Sequence, residues 1–350
     1  MTRRRGGVVL GWDIGGVNTK AALVETPANG LGDIRSASEA YELLRDPEAL
    51  GPTLLGLARR LNARTIEAHA LTMTAELSQL FRTKREGVGF VIDAVQHAFP
   101  GDPIKVYTVG GAFIEPDEAR LRPLEVAASN WTATATLVAT FEADVLLIDT
   151  GSTTTDIIPI VGGRVRATGL TDPDRLLSGE LVYTGAIRTP VEALLQEVPL
   201  SGGVAGVSAE GFALIGDALL WLGKIESAAY SAPTPDGRPA TAEFAGERLA
   251  RVVCADREML DDSAISGIAN AIVESQIVRI VSGVRQVHAR WPTLGHAIVT
   301  GLGDFIAAEA ANRAGLKVTA LSDRLGAAAR TAPAAAVAWL LAADGPSQTS

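Results

Sequence analysis

Two segments of this chain carry one pattern. VVLGWDIGGVNTKAALVE (8–25) and VLLIDTGSTTTDIIPIV (145–161) each run an apolar strand into an Asp, a Gly-containing loop and a second apolar strand. Counted from Asp13, Gly15 stands two residues on, Thr19 six and Lys20 seven; counted from Asp149, Gly151, Thr155 and Asp156 keep the same offsets. One such hairpin is an ordinary turn. A repeat at equal offsets points to two copies of a β-rich unit.

Loops of this kind suit phosphate. Glycines let the backbone bend until successive N–H groups point at one anion, and hydroxyls add donors. The candidate diphosphate-binding residues are therefore Gly15, Gly16, Asn18 and Thr19 in the first loop, and Gly151, Ser152, Thr153 and Thr154 in the second. An Asp at a strand end repels phosphate directly but can hold Mg²⁺ through water, so Asp13 and Asp149 are the candidate metal residues. Lys20 either neutralises diphosphate charge or salt-bridges the neighbouring strand. Asp156 is the general base best placed by motif, with a structural role as its alternative.

Helix-spaced apolar residues at 47–64 and 87–98 predict helices, the first with Pro52 near its start. IKVYTVGG (104–111) reads as a buried strand, and 123–141 as one long Ala/Thr-rich helix. Gly162-Gly163 makes a hairpin turn. The stretch 201–250 reads as mostly helical, broken by APTPDGRP at 232–239. A long helix is expected over 262–288, a buried strand over 296–301, a helix closed by Gly315, and an alanine-rich helix over 326–343. GPSQTS at the end and Arg3-Arg4-Arg5 at the start are expected to fray.

With 350 residues there is room for two domains, and 47% hydrophobic against 20% charged residues describes globular protein. A net charge of −9 argues against a general nucleic-acid binder, which needs a basic face. One cysteine, Cys254, excludes an internal disulfide framework and reads as a small core residue. The four histidines (69, 97, 288 and 296) lack metal-ligand spacing. Trp131 and Trp221 read as core residues. No apolar run nears the roughly 20 residues that cross a bilayer, so a soluble, cytoplasmic protein without membrane partners is expected.

The paired Asp-x-Gly hairpins, followed late by GLGDFIAAEA (301–310), resemble the superfamily of actin, the sugar kinases and the heat-shock-protein ATPases. DIGGVNTK and DTGSTTTD are most similar to its hydantoinase/oxoprolinase branch. The resemblance implies an α/β fold of two actin-like (ribonuclease H-like) domains with a cleft between them. The first would span 1–143, with helix 326–343 packing back on it, and the second 144–325. Gly301 and Gly303 would border the nucleoside or substrate pocket.

LTMTAELSQLFRTKREGV (71–88) and SGELVYTGAIRTP (178–190) further resemble proteins of tetrahydromethanopterin-linked one-carbon transfer, a group that includes the methanofuran-biosynthesis synthases. That family couples an aminomethyl-furanmethanol diphosphate to the phenol oxygen of a glutamylated tyramine and releases diphosphate; tyrosine replaces tyramine in the bacterial equivalent. The resemblance makes Glu76 a second base candidate. In the same segment the cationic cluster Arg82, Lys84 and Arg85 either meets the diphosphate or a substrate carboxylate or is a solvated surface run, the default for such a run. The resemblance of the second segment places Glu180, Tyr183 and Arg188 as candidates for the acceptor pocket, with ordinary framework as the favoured alternative to a direct catalytic role. Mg²⁺ is the implied cofactor, ATP is not expected to be consumed, and the partners are small molecules. A homodimer is left open. Two other functions fit the same loops: an ATP-dependent small-molecule kinase, and a non-catalytic nucleotide-binding protein of the one-carbon pathway.

Overall fold

A computed structural model describes residues 8–25 and 33–344. Arg3-Arg4-Arg5 and the terminal GPSQTS lie outside the described residues. The chain forms two compact units, the first from Met1–Val145, Ile158–Asp172 and Ala320–Ser350, the second from Leu146–Ile157 and Pro173–Thr319.

The first unit is built on a six-stranded sheet ordered β3-β2-β1-β4-β5-β6. Its strands are β1 (Val8–Ile14), β2 (Asn18–Glu25), β3 (Ile34–Ala40), β4 (Ile66–Met73), β5 (Ile104–Tyr107) and β6 (Phe113–Ile114). The antiparallel hairpin β1–β2 sets Asp13 opposite Lys20, and β4 runs parallel to β1. Helices α1 (Leu50–Arg60) and α2 (Lys84–Ala98) pack together, and the side chain of Thr83 caps α2 by accepting from the Glu86 N–H. Helices α3 (Pro116–Leu121), α4 (Pro123–Val126) and α5 (Asn130–Ala139) complete this part of the unit.

The single helix expected over 123–141 is two helices. Ala127 pairs with Met73 at the end of β4, Ala128 takes φ 51, and the chain restarts as α5 after Ser129. Ser129 is fixed there by Thr72, at 2.8 Å between the two hydroxyls, and by donating to the Tyr107 carbonyl at 3.0 Å. Ala/Thr composition carries no signal of such a break, because tertiary pairing imposes it.

The C-terminal helix Ala332–Asp344 lies against β1, β2, β4 and α5. Its apolar residues surround it almost completely, as a buried helix requires. Gly11 makes the contact possible: a Cβ there would sit 2.1 Å from the Ala334 carbonyl oxygen and 2.8 Å from the Ala338 Cβ. Gly11→Ala is therefore expected to destabilise the protein by about 1–3 kcal/mol, the scale of overpacking, read as a lower urea midpoint at unchanged slope. An unaltered midpoint would mean that the helix is not held here.

In the same unit His69 is buried between Trp12 and Asp102. The Trp12 indole N–H donates to Nδ1 at 3.0 Å, which leaves the ring proton on Nε2, facing the Asp102 carboxylate at 3.1 Å. Burial holds its pKa below the ordinary value, with Asp102 pulling the other way. His69 is thus a neutral core linker.

The second sheet is ordered β10-β8-β7-β13-β14. It comprises β7 (Val145–Thr150), β8 (Thr155–Val161) with its short hairpin partner β9 (Arg164–Val165), β10 (Leu181–Val182), β13 (His296–Thr300) and β14 (Lys317–Ala320). Between β10 and β13, a separate hairpin joins β11 (Glu197–Leu200) to β12 (Gly203–Gly206). This hairpin lies in and beside a stretch read from sequence as mostly helical, and its turn uses positive φ at Ser201 and Gly202. The helices are α6 (Asp172–Ser178), α7 (Ile215–Trp221), α8 (Ala242–Arg251), α9 (Asp262–His288) and α10 (Asp304–Arg313), the last followed by Gly315 at φ 85.

Two helical stretches, Asp262–His288 and Ser322–Asp344, are by length and composition apolar enough to cross a membrane, which corrects the expectation that nothing nears that length. Each packs within its own unit, α9 against α7, α8, α10 and β11, the other against the first sheet. Trp131 is buried and Trp221 is half-buried, donating to Ser266 at 3.0 Å. Cys254 is exposed, at φ 57, rather than in the core.

Candidate active site

In the first unit the β1–β2 loop is tight: the Gly15 N–H donates to the Asn18 carbonyl at 2.9 Å. A Cβ on Gly15 would meet that carbonyl at 2.9 Å and the Thr74 hydroxyl at 3.3 Å, so the loop abuts the end of β4. Gly16 is open, with nothing within 4 Å of its Cβ position. Thr19 is fully buried, and its hydroxyl has no hydrogen bond. Lys20 pairs with Asp13 across the hairpin at 2.9 Å, the salt-bridge alternative of the two weighed for it. Asp13 Oδ1, also buried, has no hydrogen bond. A buried carboxylate oxygen without a donor fits a cation or its bound water, so the residues present are compatible with Mg²⁺. Among the described residues no three His, Cys, Asp or Glu side chains gather into a metal cluster.

After β4, the segment Ala75–Leu77 buries Glu76 to 2% exposure. Neither carboxylate oxygen has a hydrogen bond, and Lys84 Nζ stands 3.9 Å away. Burial raises the Glu76 carboxyl from its ordinary value to about 7, and Lys84 offsets part of that shift. The backbone amides of Glu76 and Ala128 offset a little more without reaching hydrogen-bond geometry. Gly87 lets α2 approach, since a Cβ there would lie 2.5 Å from the Glu76 Cα. Lys84 itself donates to Asp172 at 3.0 Å. Arg85 is occupied by the Arg120 carbonyl at 2.9 Å, whereas Arg82 is exposed and its backbone N–H donates to Glu86. The cationic run therefore separates into three different roles.

In the second unit β7 ends on Asp149 and Thr150, with Asp149 opposite Thr300 in the parallel register. Gly301, at φ +94, leaves the place where its Cβ would stand 2.4 Å from Asp149 Oδ1 and 2.3 Å from the Thr150 carbonyl. Gly303 packs on the Thr150 side chain, and its N–H donates to the Thr150 carbonyl at 2.8 Å. The loop Gly151–Thr154 is closed by the Gly151 N–H donating to Thr154 at 2.9 Å. Behind it runs 184–188: Ala186 donates to the Gly151 carbonyl, and Ile187 and Arg188 both donate to that of Ser152. Gly185 fits because its missing Cβ would lie 2.5 Å from the Thr153 nitrogen. The loop carbonyls are thus consumed on one side. The Arg188 Nη1 is buried without a hydrogen bond, an orphan donor in the segment that backs the loop.

Asp156 faces Arg175 at 2.6 Å in a buried pair, and Arg175 also donates to the Glu180 carbonyl. Glu180 is buried against Arg290 at 3.2 Å, while Tyr183 is 55% exposed. These carboxylates hold the frame around β8 and β10. Arg175 is the partner that sequence reading missed; it lies in DPDRLLS with nothing to mark it.

A model of the hydantoinase/oxoprolinase family matches residues 67–344. A protein of Methanocaldococcus jannaschii named (4-{4-[2-(gamma-L-glutamylamino)ethyl]phenoxymethyl}furan-2-yl)methanamine synthase is 40% identical over 304 residues, covering 87% of this chain and 88% of its own. A protein of the same name from Methanococcus vannielii is 38% identical over 165 residues, or 47% of this chain and 73% of that one. Among solved structures, nucleotide-free acetone carboxylase superposes with a TM-score of 0.57 at 12% identity, covering 97% of this chain and 70% of that one. At that identity it speaks for fold alone, the α/β actin-like ATPase fold. The chain belongs to the hydantoinase/oxoprolinase family, in the group that holds the furanmethanamine synthases of methanofuran biosynthesis.

Proposed function

We propose that this protein is a synthase of a methanofuran-type cofactor that joins a furan methylene to a phenol oxygen and releases diphosphate. The observation that carries the reading is the 40% identity, over most of both chains, with a synthase whose name describes such an ether: a phenoxymethyl group on a furan that also bears a methanamine. Forming that bond needs a good leaving group on the methylene and a phenol oxygen held close to it. The furan oxygen stabilises positive charge on the departing methylene, so the protein's main task is to receive the leaving diphosphate.

Each unit offers its own means. In the second, the N–H groups of Ser152–Thr154, the Ser152 and Thr153 hydroxyls and the Arg188 orphan donor are suited to an anion. In the first, Gly15 and Gly16 shape a similar loop beside Lys20. Asp13 and Asp149, each in its own unit, are the carboxylates suited to hold Mg²⁺, which when bound would supply charge neutralisation to the leaving group. The acceptor class is a phenolic amine or amino acid such as tyramine, glutamylated tyramine or tyrosine.

The test is an incubation of purified protein with Mg²⁺, aminomethyl-furanmethanol diphosphate and each candidate phenol, first without ATP and then with it. Ether product and inorganic diphosphate are expected in equal amounts, without ADP. Stoichiometric ADP dependent on an alcohol or amine acceptor would replace this reading with a kinase. Binding of diphosphate without turnover would replace it with a sensor.

A further inference from the structure

We infer that Glu76, and not Asp156, is the catalytic residue that takes the phenol proton, and that Lys84 and Asp172 are its positioning residues. The inference rests on the ether-forming reading above. Its footing in the structure is a contrast between two buried carboxylates. Asp156 is satisfied: Arg175 holds it at 2.6 Å in a buried ion pair. Glu76 is unsatisfied: it is 2% exposed, and both of its oxygens lack hydrogen bonds. A buried acceptor is expensive to leave unmade, so one with two open oxygens is a group kept for a proton donor that arrives with substrate.

The neighbourhood tunes that role. Lys84 on α2 stands 3.9 Å from Glu76 but donates to Asp172 at 3.0 Å, and its side chain is 24% exposed, which makes it the group on the solvent side. Among the described residues, the charged groups facing Glu76 are Lys84 and, beyond it, Asp172. Their effects oppose each other: Lys84 lowers the Glu76 pKa and Asp172 raises it, while burial dominates and brings it to about 7. A base of that strength suits a phenol near neutral pH. Thr74, two residues before Glu76, borders Gly15, so within this unit the base candidate follows directly on the phosphate-type loop.

A Glu76 carboxylate oxygen accepts the phenolic proton, and the phenol oxygen lone pair forms the bond to the furan methylene. The bond from methylene to diphosphate oxygen breaks, with its electron pair leaving on the diphosphate. Glu76 then returns the proton to water.

The experiment measures kcat/KM against pH for ether formation by wild-type protein and by Glu76→Gln, Asp172→Asn and Lys84→Met. Wild type should show an acid limb near pH 7, with activity rising as Glu76 ionises. Glu76→Gln should lose about 10²-fold at pH 8, together with that limb. It should also unfold at a midpoint no lower than wild type at pH 8. A carboxyl whose folded pKa is above its unfolded value makes stability fall as pH rises between the two, here from 4.5 to about 7, and the variant removes that loss. Asp172→Asn should move the limb to lower pH and Lys84→Met to higher pH, shifts of opposite sign that a scaffold role does not produce. If wild type makes the ether and Glu76→Gln keeps the limb, or the two charge variants move it the same way, the assignment is wrong and the synthase reading stands. If wild type makes no ether from any phenol, the synthase reading falls and the assignment falls with it.

Discussion

Asp149→Asn is expected to lower turnover by about 10²-fold or more while leaving the thermal unfolding midpoint nearly unchanged. Asp149 is positioned by the end of β7, by its parallel register with Thr300, and by the space that Gly301 leaves at φ +94. Asn keeps the size and planar shape of Asp, so the packing against Gly301 survives. What it lacks is the full negative charge that would order a divalent cation and its water in the proposed site. Turnover at saturating Mg²⁺, measured beside calorimetric unfolding, separates the two effects. Wild-type turnover in the variant would remove Asp149 from the site. A loss of turnover matched by a loss of stability would make it a folding residue instead.

Arg248→Met is expected to cost about 3–5 kcal/mol of stability, the scale of breaking a buried ion pair from one side. Arg248 and Asp217 are both fully buried, 2.8 Å apart, and Arg248 also reaches Asp236 at 3.1 Å. Asp217 accepts further bonds from the Leu214 N–H at 2.9 Å and the Tyr230 hydroxyl at 3.2 Å. The network ties α7 to α8 and to the turn-rich loop that follows Tyr230. Burial pushes the Asp217 carboxyl up, and Arg248 pulls it down. Removing Arg248 takes away the pull, so the folded pKa climbs further above the unfolded value of about 3.9. Folded protein then loses stability as pH rises between those values, and the deficit against wild type should be larger at pH 8 than at pH 5. Urea midpoints at the two pH values check this. Equal deficits would mean that Asp217 stays neutral in both proteins.

The paired hairpins were legible because their information is local. A strand, an Asp and a glycine-containing turn lie within one short window, and DIGGVNTK and DTGSTTTD repeat that window at fixed offsets. The helix α10 was equally plain, with its glycines before and Gly315 after. The break at Ala127–Ser129 was not, since it comes from pairing with Met73 on a strand far away in sequence. The hairpin β11–β12 was missed because its strands are only four residues each, too short for the alternation in Glu197–Leu200 to stand out, and its register rests on the turn at Ser201-Gly202.

The site divides in the same way. Sequence alone determined which residues end the strands, which loops can bend around an anion, and to which family the chain is kin. All of these are properties of neighbouring residues or of motif identity. Which carboxylate is tied to a guanidinium and which is buried without a hydrogen bond was decided only by tertiary structure. Asp156 and Glu76 are both carboxylates that follow a strand or loop in sequence, but Arg175 reaches one from α6, whereas the other is sealed between β4, α2 and the 127–129 break with Lys84 3.9 Å away. Proton affinity depends on burial and on charges within a few ångströms, and those distances exist only once separate parts of the chain have packed together.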